Sequence, residues 1–380
     1  MRNFKVVTFS VLLLFVSFVS IAAQSAPVAI VPIQFRDSRP VIEVMLNGKG
    51  PFIFSIDTGG GLAADIDSSI AAQLKLEPSG KVRGGDPSGR NFREFDTVLI
   101  DSLAFGGLEF RNVTALSREQ RLTPNAPRVD GILGFALFED YLLTLDYPGK
   151  QVRLARGELP AANGANILTF ESPRRIPVVD VLVGNIKMKA HLDSGNMVGR
   201  FILPTSLVDK LTLASPPVTV GRARTVNNEV EIKEAKLTDS IKLGSFEFSQ
   251  PTITFPALAE VVNIGLSVLR EFSLTFDQKN KRVKLERPAP AATAAASSPE
   301  TNEFTGSYGE RTISFNDSTL YLQRRDGPKI KLVAAGKDEF TLERVPSARI
   351  KFARDAQGKV IELQVLNQSG QWESSKKTQP

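Results

Sequence analysis

The chain of 380 residues contains no cysteine and one histidine. Without cysteine there can be no disulfide, thiol nucleophile or thiolate metal ligand. A single histidine cannot build a His-rich zinc site, and a Ser-His-Asp triad would have to use His191. That residue lies two positions before Asp193, on the same face of an extended segment. It reads as a packing or surface residue in preference to a catalytic base. The formal charge is only +6, and basic and acidic residues are interspersed, as in Arg93-Glu94-Phe95-Asp96. No basic block is interleaved with aromatics, so nucleic-acid binding is not expected. Past residue 22 no apolar run is long enough to span a bilayer.

The one long apolar run, Val6 to Ala22, follows Arg2 and Lys5 and precedes the small residues Ala22-Ala23-Gln24-Ser25-Ala26. This order reads as an export signal over residues 1–25. The expected location is therefore periplasmic or secreted, with membrane contact only if the segment stays uncleaved.

Between Val28 and Leu285 short apolar runs alternate with Gly, Pro, Asn and Asp turns, which is the texture of a β protein. One run, Phe52-Ile53-Phe54-Ser55-Ile56, ends on Asp57-Thr58-Gly59-Gly60-Gly61. A carboxylate at the end of a buried strand is costly unless it is hydrogen-bonded or used. A lone Asp-Thr-Gly occurs in ordinary turns, but this one has a counterpart in His191-Leu192-Asp193-Ser194-Gly195-Asn196. The surroundings repeat too. Val41-Ile42-Glu43-Val44 matches Val178-Val179-Asp180-Val181. Leu62 to Leu74 matches Phe201 to Leu211, and each suggests a short helix. Ile132-Leu133-Gly134 matches Asn263-Ile264-Gly265, and Leu143-Thr144-Leu145-Asp146 matches Leu274-Thr275-Phe276-Asp277. The pattern reads as an internal duplication with an acid at the same place in each half.

Asp-(Thr/Ser)-Gly followed roughly 70 to 80 residues later by an apolar-apolar-Gly element resembles the aspartic peptidases, in their bacterial pepsin-like or retropepsin-like branch. The resemblance spans about Val28 to Arg287. It implies a mainly β, two-lobed aspartic-peptidase fold, with an N-terminal lobe over 26–165 and a second lobe over 166–287. It also implies that Asp57 and Asp193 are the catalytic pair, and that the hydroxyls of Thr58 and Ser194 bond across the lobe interface. Gly59 and Gly195 would allow the turns that present the acids. Gly134 and Gly265 would let another strand pass close beneath those turns. The polar stretch Lys81 to Asn91 occupies the place of a substrate-covering flap, but it lacks a tyrosine; Arg222 to Val230 occupies the similar place in the second half. Where many two-lobed relatives carry Ser or Thr after the triplet, this chain has Gly60 and Asn196.

A Pro/Ala/Ser linker over 288–301 follows, then β alternation resumes over 302–380. Here a small antiparallel barrel or sandwich is expected, with turns at Asp326-Gly327 and Gln357-Gly358. It resembles the small β modules appended to some bacterial hydrolases, on Gly306-Ser307-Tyr308 and the strand rhythm.

Two carboxylates held face to face cannot both ionise easily, so the pair keeps one proton. Such a pair can activate water and protonate a peptide carbonyl without metal or cofactor. The expected activity is that of an aspartic endopeptidase acting on a peptide or protein. The alternative is a catalytically silent copy of the fold that binds peptides or a cell-envelope partner.

Overall fold

The computed structural model describes residues 27–36, 39–84, 93–120, 129–197, 199–224, 229–256, 259, 261–288, 301–316, 319–325, 327, 329–336, 338–342, 345–366 and 372–378. The expected export signal, most of the expected linker, much of the stretch Lys81 to Asn91 and Asp326 lie outside the described residues. The molecule is mainly β, with two lobes and a C-terminal β domain.

The first lobe is an eight-stranded sheet. Its organising strand, Lys49–Asp57, is buried on both faces, with Phe52, Phe54, Ser55 and Ile56 all inside. On one side it pairs antiparallel with Arg39–Leu46, on the other parallel with Gly131–Gly134. The strand Ala64–Asp67 then pairs antiparallel with Gly131–Gly134 on its far side. A strand of later sequence is thus threaded between two earlier ones. This forces the chain to turn sharply over Gly134 immediately after Asp57. The hairpin of Pro78–Gly84 with Arg93–Phe105 projects from the same sheet.

The second lobe repeats this plan in a nine-stranded sheet. Ile186–Asp193 pairs antiparallel with Val178–Val183 and parallel with Val262–Gly265, which in turn pairs with Phe201–Ile202. The hairpin Val218–Arg224/Glu229–Lys236 stands where the first lobe has its flap hairpin.

The two expected helices differ. In the first lobe Ser68–Leu74 is α-helical, and the Asp67 side chain caps it by accepting from the Ser69 N–H at 2.9 Å. In the second lobe Thr205–Lys210 forms only a 3₁₀ helix. Its N-cap position holds Pro204, which has no side-chain acceptor, so the first-turn N–H groups lack the anchor that Asp67 provides.

A six-stranded sheet joins the lobes. Leu142–Asp146 and Ser273–Asp277 lie antiparallel at its centre, with Thr144 directly opposite Thr275 and their hydroxyls 3.0 Å apart. Phe135 and Phe276 meet edge to face at 5.2 Å. One continuous apolar core therefore runs through both lobes. It fixes the tips of Lys49–Asp57 and Ile186–Asp193 against each other.

The C-terminal domain is a closed barrel of eight strands in sequence order, from Gly306–Tyr308 to Trp372–Thr378, whose ends pair with each other. Closure removes the sheet edges that open antiparallel sheets leave unpaired. Its core contains Phe304, Tyr308, Ile350, Phe352 and Leu363 and shares no residue with the core of the lobes. The reverse turn at Gln357-Gly358 is built on Asp355, which accepts from the Gln357 and Lys359 N–H groups.

Candidate active site

Asp57 and Asp193 each end a strand, and each is followed by a turn closed by the N–H of the third residue on: Gly60 N–H to Asp57 O at 3.1 Å and Asn196 N–H to Asp193 O at 3.3 Å. The turns meet between the lobes. Thr58 and Ser194, both fully or nearly fully buried, lock them together. The Thr58 hydroxyl donates to Leu192 O at 2.6 Å and accepts from the Ser194 N–H at 3.0 Å. The Ser194 hydroxyl donates to Ile56 O at 2.9 Å and accepts from the Thr58 N–H at 2.9 Å. Four bonds thus satisfy four buried backbone groups reciprocally. Losing one partner would strand buried polar atoms at a cost of about 1–3 kcal/mol each.

Gly59 and Gly195 sit in this interface, and close approach explains them better than turn conformation. A Cβ on Gly59 would lie 2.5 Å from Asp193 Oδ1, and one on Gly195 would strike the Asp57 carboxylate. Neither glycine has a left-handed φ. Each gives its N–H to the aspartate two residues before it, at 2.7 Å for Asp57 Oδ1 and 3.0 Å for Asp193 Oδ1. Beneath them, Gly134 and Gly265 are pressed by loop carbonyls of Leu62 and Gly199, which a side chain there would overlap. The backbone bonds Phe135 N–H to Gly60 O and Leu266 N–H to Asn196 O, at 2.9 and 2.8 Å, tie each threaded strand to its acidic turn.

The surroundings of the two acids differ. Asp193 Oδ1 also accepts from the Asn196 N–H at 3.1 Å, and Oδ2 accepts from Asn263 Nδ2 at 2.7 Å. Asn263 is itself held by Asn196 Nδ2, which donates to its Oδ1 at 2.7 Å. In the first lobe the corresponding positions are Gly60 and Ile132, and they offer no side-chain donor. The Asn196 side chain therefore reaches its aspartate only through Asn263, a residue that sequence reasoning passed over. The signal was present: Asn263 is the one polar residue in an element expected to be apolar.

Asp57 shows the consequence. Burial, together with the nearby Asp193 charge, pushes its pKa up to about 7, against the opposing pull of the Gly59 N–H and the Arg39 guanidinium. With three N–H donors on Asp193 and one on Asp57, the shared proton belongs on Asp57 and the charge on Asp193. Two further residues escaped the sequence reading. Tyr147 is buried between the lobes and interacts with the Ser194 side chain; burial raises its phenol pKa. Arg39 faces Asp57 from the neighbouring strand, and burial lowers its pKa. His191 stands beside Asn263 in the ladder, with its pKa lowered by burial and then by Arg174.

In the first lobe, between the residues after the Asp57 turn, those after Gly134 and the hairpin of Pro78–Gly84 with Arg93–Phe105, lies a cavity of about 570 Å³. Leu62, Ala63, Val82, Phe110 and Leu137 give it an apolar wall. Among the described residues no cluster of His, Asp and Glu could hold a metal ion.

A search of curated proteins found no match to the chain. The model of a family described as aspartyl protease matches residues 42–137, so the first lobe, from the strand before Asp57 to the turn after Gly134, carries the sequence pattern of the aspartyl proteases.

Proposed function

We propose that the protein is an aspartic endopeptidase acting outside the cytoplasm, with Asp57 and Asp193 as its dyad and two lobes derived from an internal duplication. The observation that carries the reading is the reciprocal bonding of Thr58 and Ser194, which holds two carboxyl groups of unequal surroundings face to face. The N-terminal sequence supports export.

In this reading the ionised Asp193 accepts a proton from water as the water oxygen attacks the scissile carbonyl carbon. Protonated Asp57 gives its proton to the carbonyl oxygen, and a neutral gem-diol forms. On collapse a gem-diol hydroxyl returns its proton to Asp57, while Asp193 protonates the departing amine. The C–N bond breaks and the dyad is restored with its proton on Asp57. Because the pair titrates as a unit, the basic limb of activity falls near the raised pKa of Asp57, about 7. That places the working range closer to neutrality than that of acid-adapted relatives.

The test is digestion of a random peptide library by the wild type, Asp57→Asn and Asp193→Asn. Internal cleavage by the wild type alone is expected. Cleavage by either variant at the wild-type rate would overturn the dyad. Absence of cleavage by all three would make the fold a binding module.

A further inference from the structure

Among the described residues, Arg39 is the cation that acts on the dyad. It opens the strand Arg39–Leu46, whose register with Lys49–Asp57 pairs Val41 with Ser55. Two residues further along that register Arg39 stands opposite Asp57, and directly opposed residues project from the same face of a sheet. Both side chains are therefore on the cleft side at the end of the ladder. The Arg39 side chain is half-buried, and its Nε is fully buried without a hydrogen-bond partner among the described residues.

The other cations nearby are engaged. Arg118 forks onto Asp65 at 2.8 and 3.0 Å. Lys81, Arg111 and Arg175, which line the first-lobe cavity, pair with Asp96, Glu109 and Glu139 at 3.4, 2.8 and 3.8 Å. No carboxylate lines that cavity. Among the described residues, Arg39 is the cation beside the dyad that keeps a buried donor unpaired. Asp57 is close enough to interact electrostatically with Arg39, but Nε does not bond to it. A desolvated guanidinium with an open donor is costly until an acceptor arrives. The acceptor it suits best is a carboxylate, which it can engage with two parallel N–H bonds.

Resting on the peptidase reading above, we infer that Arg39 is an anion anchor of the substrate cleft, selecting peptides that carry a carboxylate side chain close to the scissile bond. An extended peptide advances about 3.4 Å per residue, and an arginine side chain reaches about two such steps. The acidic residue therefore lies within about two positions of the cleaved bond.

The test uses pairs of cleavable peptides identical except for Glu or Gln at each of those positions. The wild type should cleave the Glu member of one pair roughly 10–100-fold faster in kcat/KM, the range of a charge-assisted bond. Arg39→Gln should collapse the Glu/Gln ratio toward one, and Arg39→Lys should restore part of it. Arg39 also biases Asp57, so absolute rates will change, but the ratio within one variant cancels any effect on the dyad. In parallel, calorimetry on the cleavage-deficient Asp57→Asn protein, with and without Arg39→Gln, reads binding of the same pairs. A Glu preference lost with Arg39→Gln supports the anchor, even if no peptide is cleaved and the peptidase reading fails. A wild-type ratio near one, or a ratio unmoved by Arg39→Gln in both assays, would overturn it while leaving any observed cleavage to stand for the peptidase.

Discussion

Replacing Asp57 by Asn should stabilise the lobes, and increasingly so as pH rises. The native carboxyl titrates near 7, against 3.8 for an unperturbed aspartate. A folded pKa above the unfolded one means that the native state holds the proton more tightly. The associated stability is fully present below about pH 4 and is lost as pH rises through 7. A difference of about 3 units at about 1.4 kcal/mol each amounts to about 4 kcal/mol. Asn is nearly isosteric with the protonated acid and never ionises. The stability difference between Asp57→Asn and the wild type should therefore be small at pH 4, grow between pH 4 and 7, and level off near 4 kcal/mol above pH 8. Tryptophan fluorescence would report the wrong domain, because the single tryptophan, Trp372, lies in the barrel. Hydrogen exchange of the amides in Lys49–Asp57 and Ile186–Asp193 reports the lobes directly, compared at each pH so that intrinsic exchange cancels. A difference that stays constant from pH 4 to 9 would refute the placement of the shared proton on Asp57.

Three other outcomes follow from the same geometry. Asn263→Ile copies the first lobe's Ile132 and removes the 2.7 Å donor from Asp193, so the acid limb of kcat/KM should move up by about 1–2 pH units, a charged hydrogen bond being worth about 1.5–3 kcal/mol; an unmoved limb would show that Asn263 does not tune the pair. Thr58→Val strips partners from Leu192 O and the Ser194 N–H and should destabilise the lobes by about 2–5 kcal/mol in the same exchange assay, whereas Thr58→Ser should be close to neutral. Residues 27–287 expressed alone should fold and retain hydrolysis of short peptides, since the lobes and barrel have separate cores; loss of structure by circular dichroism would show that the lobes need the barrel.

The sequence by itself carried the β class, the two lobes and the C-terminal β domain. These depend on local patterns. Apolar residues from Phe52 to Ile56 mark a buried strand running into Asp57, the Asp-(Thr/Ser)-Gly turns recur with their flanking strands, and strand rhythm returns after the linker. The resemblance also nominated Thr58 and Ser194. Their donor and acceptor assignments became legible only once the Thr144–Thr275 contact had set the lobes face to face. The same holds for Gly59 and Gly195. Their lack of a side chain reads locally as turn freedom, but the reason for it is the carboxylate of the other lobe's aspartate, far away in the chain. The length and type of the second helix turned on a capping residue, Pro204, which the matching of apolar positions could not weigh. What tertiary structure alone decided is the inequality of the two acids. Asn263 and Arg39 look like a lapse in an apolar run and a surface charge, because the sequence does not say what a side chain will face. Parallel pairing of Ile186–Asp193 with Val262–Gly265 sets Asn263 within 2.7 Å of one carboxylate, and antiparallel pairing of Arg39–Leu46 with Lys49–Asp57 sets Arg39 opposite the other. The first pairing draws the charge to Asp193 and the second opposes a proton on Asp57, since a carboxyl group's affinity for its proton is set by the charges and donors within a few ångströms, however far away they lie along the chain.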